Sequence, residues 1–307
     1  MEPDTYHTTL RRFAVLGFCI DNAYQGYVFQ HDVQRPRSVN YAPHPHSLYV
    51  AFAVQLVLQA WWLFKLYSPG TRQGFEGDGE EGALANGGKC EHGSDLIPTG
   101  HIDLRGADHE PLRWDFLPMF VLGSSCHIGW SFCWSYEEYT LCRLFLCISA
   151  VAQLYSMFAI LNGSKNRGFP QRNIMTHLVV KCRTTFVILL LWKTWGALDP
   201  MPPPNVAQQL NNLSFFLILA MCSGPDPTMG FLLVLVLFSL GIGPFQAPGW
   251  HQTFVWMGWV VLCVVMIDWL VAAWAKDSDG DSDSDLSLRS SNENLPSLAS
   301  KSLIGSY

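Results

Sequence analysis

Apolar residues fill most of this chain in blocks of about twenty, and polar residues collect at the ends and in one long internal stretch. A helix that crosses a bilayer needs about 20 mostly apolar residues. Residues 47–67, 116–134, 140–162, 177–197, 209–223, 229–245 and 253–274 meet or approach that requirement. The fifth and sixth are short and joined by the breaker-rich "SGPDPT", which suits two tilted spans or a re-entrant pair. Residues 12–30, "RFAVLGFCIDNAYQGYVFQ", are only half apolar and suit an extra span or an interfacial helix. The pattern predicts an all-α integral membrane helical bundle with about seven transmembrane helices, six to eight in all. It divides the chain into an N-terminal segment (1–46), a first transmembrane helix (47–67), an acidic loop (68–113), a helical bundle (114–274) and an acidic, Ser-rich tail (275–307). Loop and tail are too polar to bury a core and are expected to be disordered.

Composition supports a membrane protein. Apolar residues are 49% of the chain and charged residues 14%, against about 25% charged in soluble domains. The net charge of −6 argues against a nucleic-acid partner. The nine cysteines contain no CxxC pair and are expected to be reduced and structural. No signal peptide is expected at the N-terminus. Lysine and arginine favour the side that holds the acidic loop, the 163–176 loop and the tail. That side is assigned to the cytosol, with the C-terminus in it and the endoplasmic reticulum as the expected membrane. An eighth span would move only the N-terminus.

One residue stands against the hydropathy of its own helix. Asp268 lies within "VVMIDWLVAAW", about 9 Å inside the cytosolic boundary. A charge at the centre of a bilayer costs about 2.5–3.5 kcal/mol even on the lenient insertion scale and normally faces a partner. The fourth span enters from the same side, so Lys181 and Arg183 reach a similar depth, below His177. Asn162, Gln153 and Tyr155 of the third span, Asp115 of the second and His127 near mid-membrane complete an expected polar cluster in the cytosolic half. Glu137 and Glu138, at the opposite boundary, are two adjacent carboxylates, and one could act as an acid if it reached a pocket. Most tryptophans flank the spans as an interfacial belt. Trp256, Trp259 and Trp269 lie inside the last span and are candidate walls for a cationic intermediate.

An acid beside aromatic walls is the minimum equipment for protonating an isoprenoid epoxide or alkene. Asp268 is the first candidate donor, with Glu137, Glu138 or Asp115 as alternatives. His127 or Tyr155 would accept the terminal proton. Trp256, Trp259, Trp269, Arg183, Lys181, Gln153 and Asn162 would line the substrate site. No metal and no cofactor is required. Alternatives are a small transporter, or an accessory protein whose polar cluster only locks helix packing. A membrane acyltransferase or prenyltransferase is less favoured, because the motifs either would need are not in place.

The stretch from "WDFLPMFVLGSSCHIGW" through "VAQLYSMFAIL" to "MTHLVVKCRTTF" resembles a fungal multi-pass membrane family of unassigned activity, over about half the chain. In size, span count and intramembrane acid the chain is similar to the small integral-membrane terpene cyclases of fungal meroterpenoid clusters. That resemblance implies a cofactor-free isomerase acting on an epoxidised prenyl chain in secondary-metabolite biosynthesis. Its partners would be membrane lipid and a hydrophobic small molecule. The early Glu usual in that class has no counterpart here, since the first clear span holds no acid.

Overall fold

The computed structural model describes residues 3–34, 41–67, 112–161, 174–198, 204–223, 226–243 and 249–292. Among them are eight helices and no β-strand. They are α1 (Pro3–Gln34), α2 (Pro45–Tyr67), α3 (Leu112–Ser135), α4 (Tyr139–Tyr155, continued by a π-helical turn Ser156–Leu161), α5 (Ile174–Leu198), α6 (Val206–Cys222), α7 (Thr228–Ile242) and α8 (Trp250–Asn292). Five of them, α2, α3, α4 with its π turn, α5 and α8, are long and apolar enough to cross a membrane. The chain is a helical membrane bundle.

Local chemistry accounts for the boundaries. Pro45 opens α2, where its missing N–H costs nothing. Asn205 caps α6 in a capping box with Gln208. The "PDPT" breaker separates α6 from α7, and the Asp226 carboxylate accepts from Thr228 N at 2.8 Å. At 17 and 15 residues these two helices are about 25 and 22 Å long, short of a hydrocarbon core of about 30 Å. The last helix does not stop at Trp274. It runs on to Asn292, through a segment expected to be structureless. Extending a formed helix fixes only one further residue at a time, and no proline interrupts the segment before Pro296. The acidic loop lies almost wholly outside the described residues.

Side-chain contacts give the direction of each helix. His7 meets Trp114, Gly17 meets Ser124, Asp21 meets His127 and Asp32 meets Trp134, so α1 and α3 run parallel. Ser124 meets Arg183 and Trp130 meets Thr194, so α5 runs parallel to both. Trp62 reaches Thr176 and Phe52 packs on Phe186, so α2 runs antiparallel to α5. Gly230 against Val265 and Gly241 against Val255 make α7 and α8 antiparallel. Helix α5 is central: 72% of its apolar window is buried, against at most 56% in the other four long helices. The half-apolar N-terminal stretch is therefore part of a 32-residue helix docked along α3.

Without water to drive apolar contact between helices, small residues that admit close approach carry much of the packing. A Cβ on Gly196 of α5 would overlap the Tyr41 carbonyl oxygen, a backbone atom that cannot rotate aside. At Gly26 of α1 an added Cβ meets nothing within 4 Å. Gly196→Ala is expected to destabilise the protein by about 1–3 kcal/mol, as overpacking does. Gly26→Ala is expected to be neutral or to stabilise by up to about 1 kcal/mol through helix propensity. Thermal unfolding of the two variants in one detergent checks both signs.

Candidate functional site

Five helices contribute polar side chains to one buried layer. Helix α1 supplies Asp21 and Gln25, one turn apart on the same face. The Gln25 Nε2 donates to Asp21 Oδ1 at 2.5 Å and lies 3.1 Å from His127 Nδ1 of α3. The same His127 nitrogen is 3.5 Å from Asp21 Oδ2. Arg183 of α5 donates from Nη2 to Ser124 Oγ at 2.8 Å and stands 3.8 Å from Asp21 Oδ2. Its guanidinium lies over the Phe120 ring, 4.4 Å from the centroid. Gln153 of α4 comes in beside Gly123: a Cβ there would stand 2.5 Å from the Gln153 amide nitrogen and 3.2 Å from Arg183 Nη2. Gly123 is thus the gap in α3 through which α4 and α5 present these groups together. On α2, Gln55 and Gln59 are also buried, and the antiparallel register set by Phe52 on Phe186 puts Gln55 level with Arg183.

Two further ion pairs flank the layer, both on α5. Lys181 pairs with Asp226 in the α6–α7 turn, and both are buried. Lys193, ten residues beyond Arg183, pairs with Asp32 of α1 at 2.5 Å. Trp134 Nε1 donates to the same carboxylate at 3.1 Å, and the Lys193 ammonium lies 4.7 Å from the Trp134 ring centroid. Every lysine and arginine of α5 therefore has an acid from another part of the chain. Burial by itself raises the Asp226 carboxyl, but hydrogen bonds from Lys181 and Thr228 outweigh it and hold the group below the usual carboxylate range.

A groove of about 500 Å³ opens sideways between α2 and α7, floored by α5. Its walls are almost wholly apolar, with Val50, Val54, Leu235 and Val236 on the flanks and Cys182, Phe186 and Leu189 below. Polar groups gather at one end, where His44, His46, Ser47 and Ser239 meet. Phe186 also packs edge-on to His127, centroids 6.4 Å apart. One aromatic ring therefore separates the groove from the polar layer.

The structure brings together three of the residues expected in the cluster, Arg183, Gln153 and His127. It places Asp268 elsewhere. Asp268 lies in the exposed end of α8, residues 267–274, and makes no hydrogen bond or ion pair among the described residues. Its expected partners are taken, Arg183 by Asp21 and Lys181 by Asp226. Residues 267–274 of α8 are exposed on every side, so no described helix covers this end of α8 and none is placed to pair with Asp268. Trp256, Trp259 and Trp269 are about half exposed on the outside of α8 and do not wall an acid-bearing cavity. Tyr155 also faces outward, at 54% exposure. Glu137 and Glu138 form the exposed α3–α4 turn, with Glu137 at φ 64°. Asp115 is exposed in the first turn of α3. Asn162 lies outside the described residues. Among the described residues no group of three His, Cys, Asp or Glu side chains is gathered to hold a metal ion.

Sequence reasoning passed over Asp21, Gln25 and Asp32. Their signal was an acid and an amide four residues apart within an otherwise fair helix, "CIDNAYQGYVFQHD". Gln55 and Gln59 carried the same signal in α2: two amides at i, i+4 on one face of an apolar helix. Comparison of the chain with family models, with curated proteins and with solved structures returned no match.

Two expectations follow. The folded-state pKa of Asp226 is depressed, so its contribution to stability is present above the ordinary Asp value of about 3.9 and is lost as pH falls through that value and below. The fall in melting temperature on acidification should therefore be shallower in Asp226→Asn than in the wild type, although the variant starts lower at pH 7. By contrast, Asp268→Asn removes a charge that no described residue compensates. Its melting temperature should equal or exceed that of the wild type, and a loss of several degrees would show that Asp268 does have a partner.

Proposed function

We propose that this is a multi-pass membrane protein that takes an amphiphile with a prenyl or acyl chain sideways from the bilayer, the chain lying in the groove between α2, α5 and α7. The groove itself is the observation that carries the reading. Ligand sites of 300–1,000 Å³ with apolar walls and a few polar groups at one end are the ordinary form of such pockets. The groove falls in that range, opens where Val50 and Leu235 are exposed, and ends in two histidines and two serines.

Cyclisation of an epoxidised prenyl chain is the second reading. Phe186 favours it, because the ring that floors the groove touches His127, and His127 adjoins Asp21. In this reading the proton comes from the Asp21–His127 pair, in place of Asp268. The chemistry uses an acid and an apolar site and draws on no cofactor.

The topology bears on orientation. If each helix from α1 to α8 crosses the membrane in turn, the start of α1 and the end of α8 share one side, which supports this orientation. Arg11 and Arg12 then join the side already rich in lysine and arginine. We place that side in the cytosol, with the endoplasmic reticulum as the membrane.

Photolabelling tests the main reading. A diazirine-bearing long-chain alcohol should label α2, α5 and α7 in membranes, at residues around Val54 and Leu235. Ala51→Trp, which fills the groove, should abolish that labelling. Uniform labelling of all outward faces, unchanged by Ala51→Trp, would overturn it. For the second reading, membranes are given an epoxidised farnesyl phenol. An isomer of unchanged mass, made by the wild type and by Asp268→Asn but not by Asp21→Asn at matched expression, is the expected result. No isomer from the wild type would remove cyclisation and leave chain binding standing.

A further inference from the structure

The polar layer offers more hydrogen bonds than the described residues use. Arg183 is fully buried, yet its Nε and Nη1 have no acceptor. Both side-chain polar atoms of Gln55, Gln59 and Gln153 are without partners, as are His127 Nε2 and Gln25 Oε1. Buried polar groups are almost always satisfied, and in an apolar surround each one left alone costs about 1–3 kcal/mol. Such groups scattered through a bundle would be unremarked. Those of α1, α3, α4 and α5 meet around Asp21, His127, Arg183 and Gly123, and the register of α2 brings Gln55 to the depth of Arg183, with Gln59 one turn away.

The chemistry of the leftover groups limits what completes them. Guanidinium and amide N–H groups are donors, and the amide oxygens are acceptors, so the complement must do both. Charge narrows it further. Asp21 and Arg183 already offset one another, so an added anion would leave Asp21 and itself against one cation. An added cation would face Arg183 in the same way. A buried charge without an opposite charge is strongly disfavoured. Resting on the groove as the chain site, we infer that the layer behind Phe186 binds a neutral head group bearing hydroxyl or amide functions, carried by the same amphiphile whose chain fills the groove. Gln153 and Gln55 bind the head directly, Arg183 donates to its oxygen, and Phe186 gives way to admit it.

Three probes of one chain length test this on the full chain in nanodiscs: a C14 monoacylglycerol, the matching lysophosphatidate and tetradecane. Dissociation constants are read from quenching of tryptophan fluorescence. The monoacylglycerol should bind at least about tenfold tighter than either of the others, the effect of one or two net hydrogen bonds. Gln153→Leu and, on a different helix, Gln55→Leu should each erase that preference and leave tetradecane affinity unchanged. Equal affinities for monoacylglycerol and tetradecane would mean that the layer holds only water, and would overturn the inference. Tighter binding of the lysophosphatidate would overturn it in favour of an anion site at Arg183. Failure of all three to bind the wild type would instead remove the groove reading beneath it. Should a leucine variant fail to fold, the three wild-type affinities still decide.

Discussion

Three cations on one apolar helix set the terms for the rest of the bundle. Helix α5 carries Lys181, Arg183 and Lys193 within the most buried segment of the protein. An isolated charge in that setting is unfavourable by several kcal/mol, and removing one partner of a buried pair costs about 3–5 kcal/mol. Each cation must therefore be met by an acid from outside α5. Asp226 meets Lys181 from a turn, while Asp21 and Asp32 meet Arg183 and Lys193 from α1. The spacings agree: Asp21 to Asp32 is eleven residues and Arg183 to Lys193 is ten, which only parallel helices satisfy. The charge pattern of α5 thus obliges a half-polar N-terminal helix to lie inside the bundle.

That constraint also separates structure from chemistry. The Lys181 and Lys193 pairs sit at direct contact, and the second is reinforced by Trp134. They resemble locks that set helix register. The central pair is different in kind. Arg183 and Asp21 stand 3.8 Å apart, Gln25 and Ser124 take the closer hydrogen bonds to them, and the arginine Nε and Nη1 have no acceptor among the described residues. A pair built only for packing gains nothing from such an arrangement, since a hydrophobic isostere would serve as well or better. Most of the buried polar atoms without a partner among the described residues belong to this layer.

Much of the fold was legible because hydropathy and helix length are properties of short windows. The spans from α2 to α8 follow from apolar blocks and from the breakers between them. Helix α1 was legible only as an ambiguity, because a helix that supplies counter-charges to a neighbour must itself look too polar to cross a membrane. The site was half legible for a related reason. Arg183, His127 and Gln153 announce themselves as polar groups in apolar surroundings. Asp268 announces itself as strongly and faces out of the bundle. Sequence gives depth along the normal but not which helices cover a residue at that depth, and residues 267–274 of α8 are exposed on every side. A residue such as Gly123, whose missing Cβ admits Gln153 and Arg183 to one spot, carries no polar signal at all.

The position of Phe186 ties the two halves of the molecule together. It closes the floor of the groove between α2 and α7, and it also rests against His127. Phe29 and Phe52 pack against the same ring, so the partition is held by α1, α2 and α3 at once. A wall of this kind separates an apolar groove from a charged layer. A bundle needing only insulation would be expected to bury its polar layer behind several side chains. Here it is one ring from the groove, at the level where α2 turns Gln55 inward and α5 turns Arg183 inward.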